Sequence, residues 1–219
     1  MKNLSISQKY FLCVLNDKGK LPSIDATIEV CILAGSLFDL MFLDCVKIGE
    51  DKKIYINKEL DSSLQHLESL YAYIQESKPM KVDKLASEYY FSFNEKRKKQ
   101  LFSNIGTSLV TSQVATYEKG GFFGNVDFYF PNRKYVDNII ENIRAELLED
   151  GCVSDDIIAL VSLLEKSNQI KRYFSAYEKD KLKIRLKEIK ESDSHKVVKE
   201  MVDYIDGLIA VFVACVAIN

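Results

Sequence analysis

Between Ile24 and Cys45 the sequence is apolar at nearly every position, broken only by single polar residues. A helix that is hydrophobic all round must be covered by protein on every side. The run therefore suits a helix pair packed centrally, with Gly35 where two helices or a turn could approach closely. The covering layer must come from the rest of the chain, where helical periodicity dominates. At 219 residues, with 47% hydrophobic and 28% charged residues, the chain is long enough for one well-buried domain and short for two. Only 9 Gly and 3 Pro interrupt it, which argues against disordered or repetitive tails.

Several helix ends are written in the residues. Ser5 and Gln8 have the spacing of a capping box, with Leu4 ahead as a staple. The helix that follows carries Tyr10, Phe11, Val14 and Leu15 and stops at Gly19 and Pro22. Residues 46–57 alternate on both sides of Gly49-Glu-Asp-Lys52 and read as a β-hairpin. Leu64, Leu67, Leu70, Tyr71 and Ile74 form a helical stripe before Pro79. Residues 136–149 form a helix closed by Gly151, and Ser154 caps the next, which carries Ile157, Ile158, Leu160, Val161 and Leu164. Residues 177–191 mix both charge signs, as a solvated helix face does.

Two segments point outward. Ser92 and Glu95 have capping spacing, and the helix they open has Leu101, Phe102, Ile105 and Leu109 on its apolar face. Its first turns carry Lys96, Arg97, Lys98 and Lys99 in succession. Cations there oppose the macrodipole by about 0.3–1 kcal/mol each, and a bound anion would relieve that opposition. The plain alternative is a solvated lysine-rich face. Residues 114–130 read as strand, turn and strand, with Phe122 and Phe123 at the tip. Aromatic residues at a loop tip either enter a membrane surface or partner, or fold back onto the core. Gly120, Gly121 and Gly124 belong to that turn and lack the Lys-Ser/Thr of a phosphate loop.

Other chemistry is sparse. Lys+Arg is 30 and Asp+Glu 32, a net charge of −2, so no global basic field is available for nucleic acid. There is no phosphate loop, dinucleotide fingerprint or nucleophile elbow, and no catalytic residue, metal site or cofactor is expected. His66 reads as a surface or boundary residue and His195 as part of a helix start. Asp155 and Asp156 match a helix dipole, while Asp203 and Asp206 lack a metal-binding partner in sequence. Five cysteines without a C-x-x-C, four of them inside apolar runs, read as buried free thiols in a reducing compartment. The apolar run Gly207 to Ile218 has 12 residues and would span about 18 Å, short of the roughly 30 Å bilayer core. It reads as a buried helix.

Taken in order, LSISQKYFLCVLNDKGKL, VCILAGSLFDLMFLDCVKI, IRAELLEDG, LVSLLEKSNQIKRYF, YEKDKLKIRLKEI and AVFVACVAI resemble the Golgi phosphoprotein-three family, including its bacterial branch. The resemblance implies a mainly α fold. Its expected form is a single-domain helical bundle over residues 1–219, ringed by amphipathic helices, with a protruding hydrophobic β-hairpin at about 114–130. Eukaryotic members are peripheral membrane proteins that bind phosphatidylinositol 4-phosphate and help to retain glycosyltransferases. Their head-group pocket uses one Trp and three Arg, positions that fall here at Asp25, Ala34, Lys99 and Phe102. Only Lys99 retains a charge, and this chain has no Trp. A lysine does not reproduce the bidentate arginine fork. The expectation is a domain without the disordered N-terminal arm of eukaryotic members, and a bacterial source.

The functional expectation is a cytoplasmic module, peripheral on the cytosolic membrane face, that recognises anionic phospholipid head groups. Lys96, Arg97, Lys98, Lys99, Arg133 and Lys134 would bind lipid, and Phe122 and Phe123 would insert. Self-association through the hairpin is a further expectation. Two alternatives stand beside it. One is an adaptor for cytoplasmic tails of membrane enzymes. The other is a winged-helix-like nucleic-acid binder in the first 60 residues, opposed by Asp39 and Asp44 on the helix that would read the groove.

Overall fold

The computed structural model describes residues 3–22, 26–90, 95–121, 126–149, 153–191, 199–200, 202–203 and 206–207. Its fold is mainly α. Helix α1 (Ile6–Val14) starts with the expected capping box: Ser5 Oγ accepts from the Gln8 N–H, and Gln8 Oε1 accepts from the Ser5 N–H at 3.0 Å. Helix α2 (Ala26–Phe42) is one continuous helix, not a pair, and 12 of its 17 residues are buried. Gly35 lies within it, not at a turn. A Cβ there would sit 3.2 Å from Leu163 Cδ1 and 3.5 Å from Ser7 Cα, so three helices converge on that point.

The third of these is α7 (Asp155–Lys166), buried without interruption from Ile157 to Leu164. Helices α1, α2 and α7 thus form the centre, each packed on the other two. Ser154 is the N-cap residue of α7, but its side chain makes no cap bond and instead donates to Glu146 at 2.6 Å. The Ser154 N–H donates to the same Glu146 carboxylate at 2.8 Å, which fixes the start of α7 through two charge-assisted bonds.

The first hairpin pairs β1 (Val46–Ile48) with β2 (Lys53–Ile56), Val46 opposite Ile56. A two-residue strand, β3 (Met80–Lys81), adds to β2 and leads into α4 (Val82–Tyr90), neither foreseen from sequence. The leucine stripe is a 3₁₀ segment, Ser62–Leu67, kinked at Leu64, followed by α3 (Glu68–Glu76). His66 is buried at 7% exposure, against the surface or boundary expectation, because this kink turns it toward the α1 N-terminus.

Helix α5 (Lys96–Thr111) leads into the second hairpin, β4 (Ala115–Gly120) with β5 (Val126–Pro131). Its base is pinned to the bundle: Tyr129 is buried, meets Phe11 edge-on at 6.1 Å, and its N–H donates to the Gly19 carbonyl at 2.8 Å. Helix α6 (Arg133–Leu147) starts three residues before the apolar pattern, capped by Asn132. A 3₁₀ turn (Ile170–Arg172) and α8 (Ala176–Glu191) follow α7. Leu182, Leu186 and Ile189 are the buried face of α8 beneath its mixed charges.

Cys13, Cys31 and Cys45 are buried thiols, and Cys152 and Cys215 lie outside the described residues. Among the described residues no helix is long and apolar enough to cross a membrane. The C-terminal apolar run, Gly207 aside, and His195 also lie outside them.

Candidate functional site

Leu101, Ile105 and Leu109 bury one face of α5 and so fix where its first turn emerges. That turn contains no acidic residue, and its N-cap, Glu95, makes no side-chain cap bond. The expected cap at Ser92 lies outside the described residues. Glu95 turns to the lysines instead, 2.9 Å from Lys99 and 3.5 Å from Lys98. The bond from Lys99, first among the causes, holds the Glu95 carboxyl below its ordinary range.

The four cations have different surroundings. Lys98 is largely covered and reaches Glu29 of α2 at 2.8 Å, an anchor between two helices. Arg97 lies over the Tyr73 ring, 4.4 Å from its centroid, which stands edge-on to buried Tyr89 at 5.9 Å. Lys96 and Lys99 are exposed, Lys99 at 73% of its side chain. Glu95 and Glu29 thus pair with Lys98 and Lys99 of the four cations.

Arg133 and Lys134 belong to another neighbourhood. They open α6, where Asn132 Oδ1 accepts from the Lys134 N–H at 3.1 Å. Arg133 pairs with Asp17 in the α1–α2 connection. It shares a cavity of about 230 Å³ with Arg172 and Tyr173, to which no α5 residue contributes. Sequence reasoning missed Arg172 and Tyr173 as site residues, although Lys171-Arg-Tyr-Phe174 carries the basic and aromatic pattern that could have marked them. Phe122 and Phe123 lie outside the described residues.

Three of the four positions that the resemblance assigned to a head-group pocket are described. Ala34 is buried at 1% exposure inside α2, and Phe102 packs edge-on against Phe11 at 6.4 Å. Lys99 alone of the described three faces solvent, and Asp25 lies outside the described residues.

The sequence profile of the Golgi phosphoprotein 3 (GPP34) family matches residues 6–205, which takes in every element from α1 to α8. The chain belongs to the Golgi phosphoprotein 3 family. No curated protein matches it. As a family member it has a mainly α fold and a Golgi phosphoprotein-like role. In the winged-helix alternative α2 would be the helix that enters a groove; it is largely buried and carries no basic residue.

Proposed function

We propose that this Golgi phosphoprotein 3 family protein is a peripheral membrane module that docks on anionic phospholipid head groups at the cytosolic face. The observation that carries this reading is the exposed first turn of α5, whose N-cap residue Glu95 makes no side-chain cap bond. Lys98 ties that turn to α2, so Lys96 and Lys99 are presented from a fixed place rather than from a mobile loop. Each basic residue near an anionic surface adds about 1 kcal/mol, and apolar insertion by Phe122 and Phe123 would add to it. Self-association through the hairpin would set several such turns on one surface. The burial of Ala34, and the packing of half-buried Phe102 against Phe11, favour general recognition of anionic charge over a pocket for phosphatidylinositol 4-phosphate.

Vesicle co-sedimentation at two salt concentrations tests this with neutral, generic anionic and phosphatidylinositol 4-phosphate vesicles. Binding to anionic vesicles should fall with salt, with the pair Lys96→Ala/Lys99→Ala, and with Phe122→Ser/Phe123→Ser. Preference for the phosphoinositide at equal charge would restore the specific pocket. Absence of binding to every vesicle overturns the reading.

A second reading, an adaptor for basic cytoplasmic tails, is favoured by one feature. A cavity of about 610 Å³ beside the first hairpin is bordered by Glu50, Glu200 and Asp203, with Lys52 opposing them. Titration with a lysine-rich peptide, repeated on Glu50→Gln/Asp203→Asn, checks it. Unchanged affinity in that variant removes it.

A further inference from the structure

The cavity that holds Arg133 has a chemistry of its own. It opens where α1 ends, β5 ends and α6 begins. Leu12, Leu15, Phe130 and Val136 make apolar walls, and Asp17, Arg133 and Arg172 bring charge to its edge. Arg172 is held in place by the end of α1: its Nη1 donates to the Cys13 carbonyl and its Nη2 to the Leu15 carbonyl, both at 2.9 Å. Nη1 also reaches Gln169 Oε1 at 3.2 Å. All three acceptors are neutral, so the guanidinium charge is not compensated by them. The Tyr173 hydroxyl donates to the same Cys13 carbonyl at 2.5 Å, and its phenol senses both Arg172 and Arg133.

Among the described residues that line the cavity, Asp17 is the one carboxylate. It pairs with Arg133 through side chains that are 81% and 67% exposed. Pairs that exposed contribute about 0–1 kcal/mol, so Asp17 is held lightly. The first turn of α6 beside it carries two cations and no acidic residue. Two guanidiniums, one weakly held carboxylate and apolar walls describe an oxyanion site with a built-in competitor.

We propose that this cavity binds a single oxyanion, phosphate monoester or carboxylate, carried on a short apolar body, and that the ligand displaces Asp17 from Arg133. Planar guanidiniums recognise both oxyanions in bidentate fashion. The cavity is smaller than the roughly 300–1,000 Å³ typical of drug-sized ligands, which suits a head group with a few methylenes. The site is built without any α5 residue, so it stands whether or not α5 docks on membranes.

The test is titration of the full chain with hexyl phosphate, hexanoate and inorganic phosphate, followed by ¹⁵N NMR at the arginine side chains. Hexyl phosphate or hexanoate should shift both Arg133 and Arg172, and whichever binds tighter identifies the oxyanion. Arg133→Gln should weaken that ligand about ten-fold, the loss of one charged fork. Asp17→Asn should tighten it about three-fold or more by removing the competitor. Both residues are exposed, so neither variant threatens folding. Lys96→Ala/Lys99→Ala should leave the affinity unchanged, which separates this result from the vesicle experiment. Inorganic phosphate binding as tightly as hexyl phosphate, no arginine shift, or no response to either substitution overturns the proposal.

Discussion

Asp39, buried within α2, accepts the backbone N–H of Ile6 at 2.7 Å and so caps α1 from a different helix. Its second oxygen accepts the Ser7 N–H at 2.9 Å. Ser5 and Ser7 pass the network on to His66, whose Nε2 lies 3.2 Å and 3.4 Å from their hydroxyls. First-turn amides have no intrahelical partner, and a buried one left unpaired is costly. Asp39→Ala should therefore lower stability by about 2–4 kcal/mol, two hydrogen bonds lost with both donors left buried. Asp39→Asn, which keeps one acceptor, should lose less. Urea unfolding midpoints measure both.

His66 gives the pH dependence. Burial lowers its pKa from 6.5 to about 4, so the folded protein holds it neutral at pH 7. The unfolded chain takes up a proton below about 6.5 while the folded chain does not, so the unfolded state gains as pH falls. The stability linked to His66 is thus fully present above pH 6.5 and is lost as pH falls from there toward about 4. That loss is at most about 3 kcal/mol. His66→Gln should flatten this part of the stability profile. A slope unchanged by the substitution would assign the acid sensitivity to other groups.

Gly106 and Tyr129 fix the hairpin to α5. A Cβ on Gly106 would fall 2.4 Å from Tyr129 Cζ, with other ring carbons at 2.5 Å and 2.7 Å. The ring is buried and cannot swing away freely, so Gly106→Ala should cost about 1–3 kcal/mol by overpacking. In a Tyr129→Ala background the same change should cost much less. Thermal unfolding of the four proteins in that cycle checks it, and strict additivity would break the link.

Much of this was legible in the residues, and the gaps have physical causes. Ser5-x-x-Gln8 specified a cap through its own side chains, and the alternation at Val126, Phe128 and Phe130 specified a strand. The long apolar run announced a central element but not whether it turned, because a buried glycine such as Gly35 serves close packing as well as a turn. Strand β3 has two residues, too few for any period to register. Of the candidate site, the basic character of residues 96–99 was legible. Their division into an anchor, a stacked arginine and two outward lysines depended on Glu29, 69 residues from Lys98. The Arg133 and Arg172 cavity likewise joins segments far apart in sequence, as the Arg172 bond to Cys13 across 159 residues shows.

That division makes the last prediction a contrast between neighbours. Lys98 is 13% exposed and bonded to Glu29, itself 25% exposed, so removing it leaves a part-buried carboxylate without its partner. Lys98→Ala should cost about 1–2 kcal/mol in urea unfolding, more than a surface pair is worth. Lys99 is 73% exposed and pairs with exposed Glu95, so Lys99→Ala should change stability by less than about 0.5 kcal/mol. Binding to anionic vesicles should rank the other way. Lys99→Ala removes a charge that faces solvent, about a five-fold loss if each contributes about 1 kcal/mol. Lys98→Met removes one already neutralised within the fold and keeps the apolar stem packed, so vesicle binding should be nearly unchanged. Equal vesicle losses in the two variants would mean that the cluster acts as undivided charge and that the Glu29 anchor has no part in presenting it.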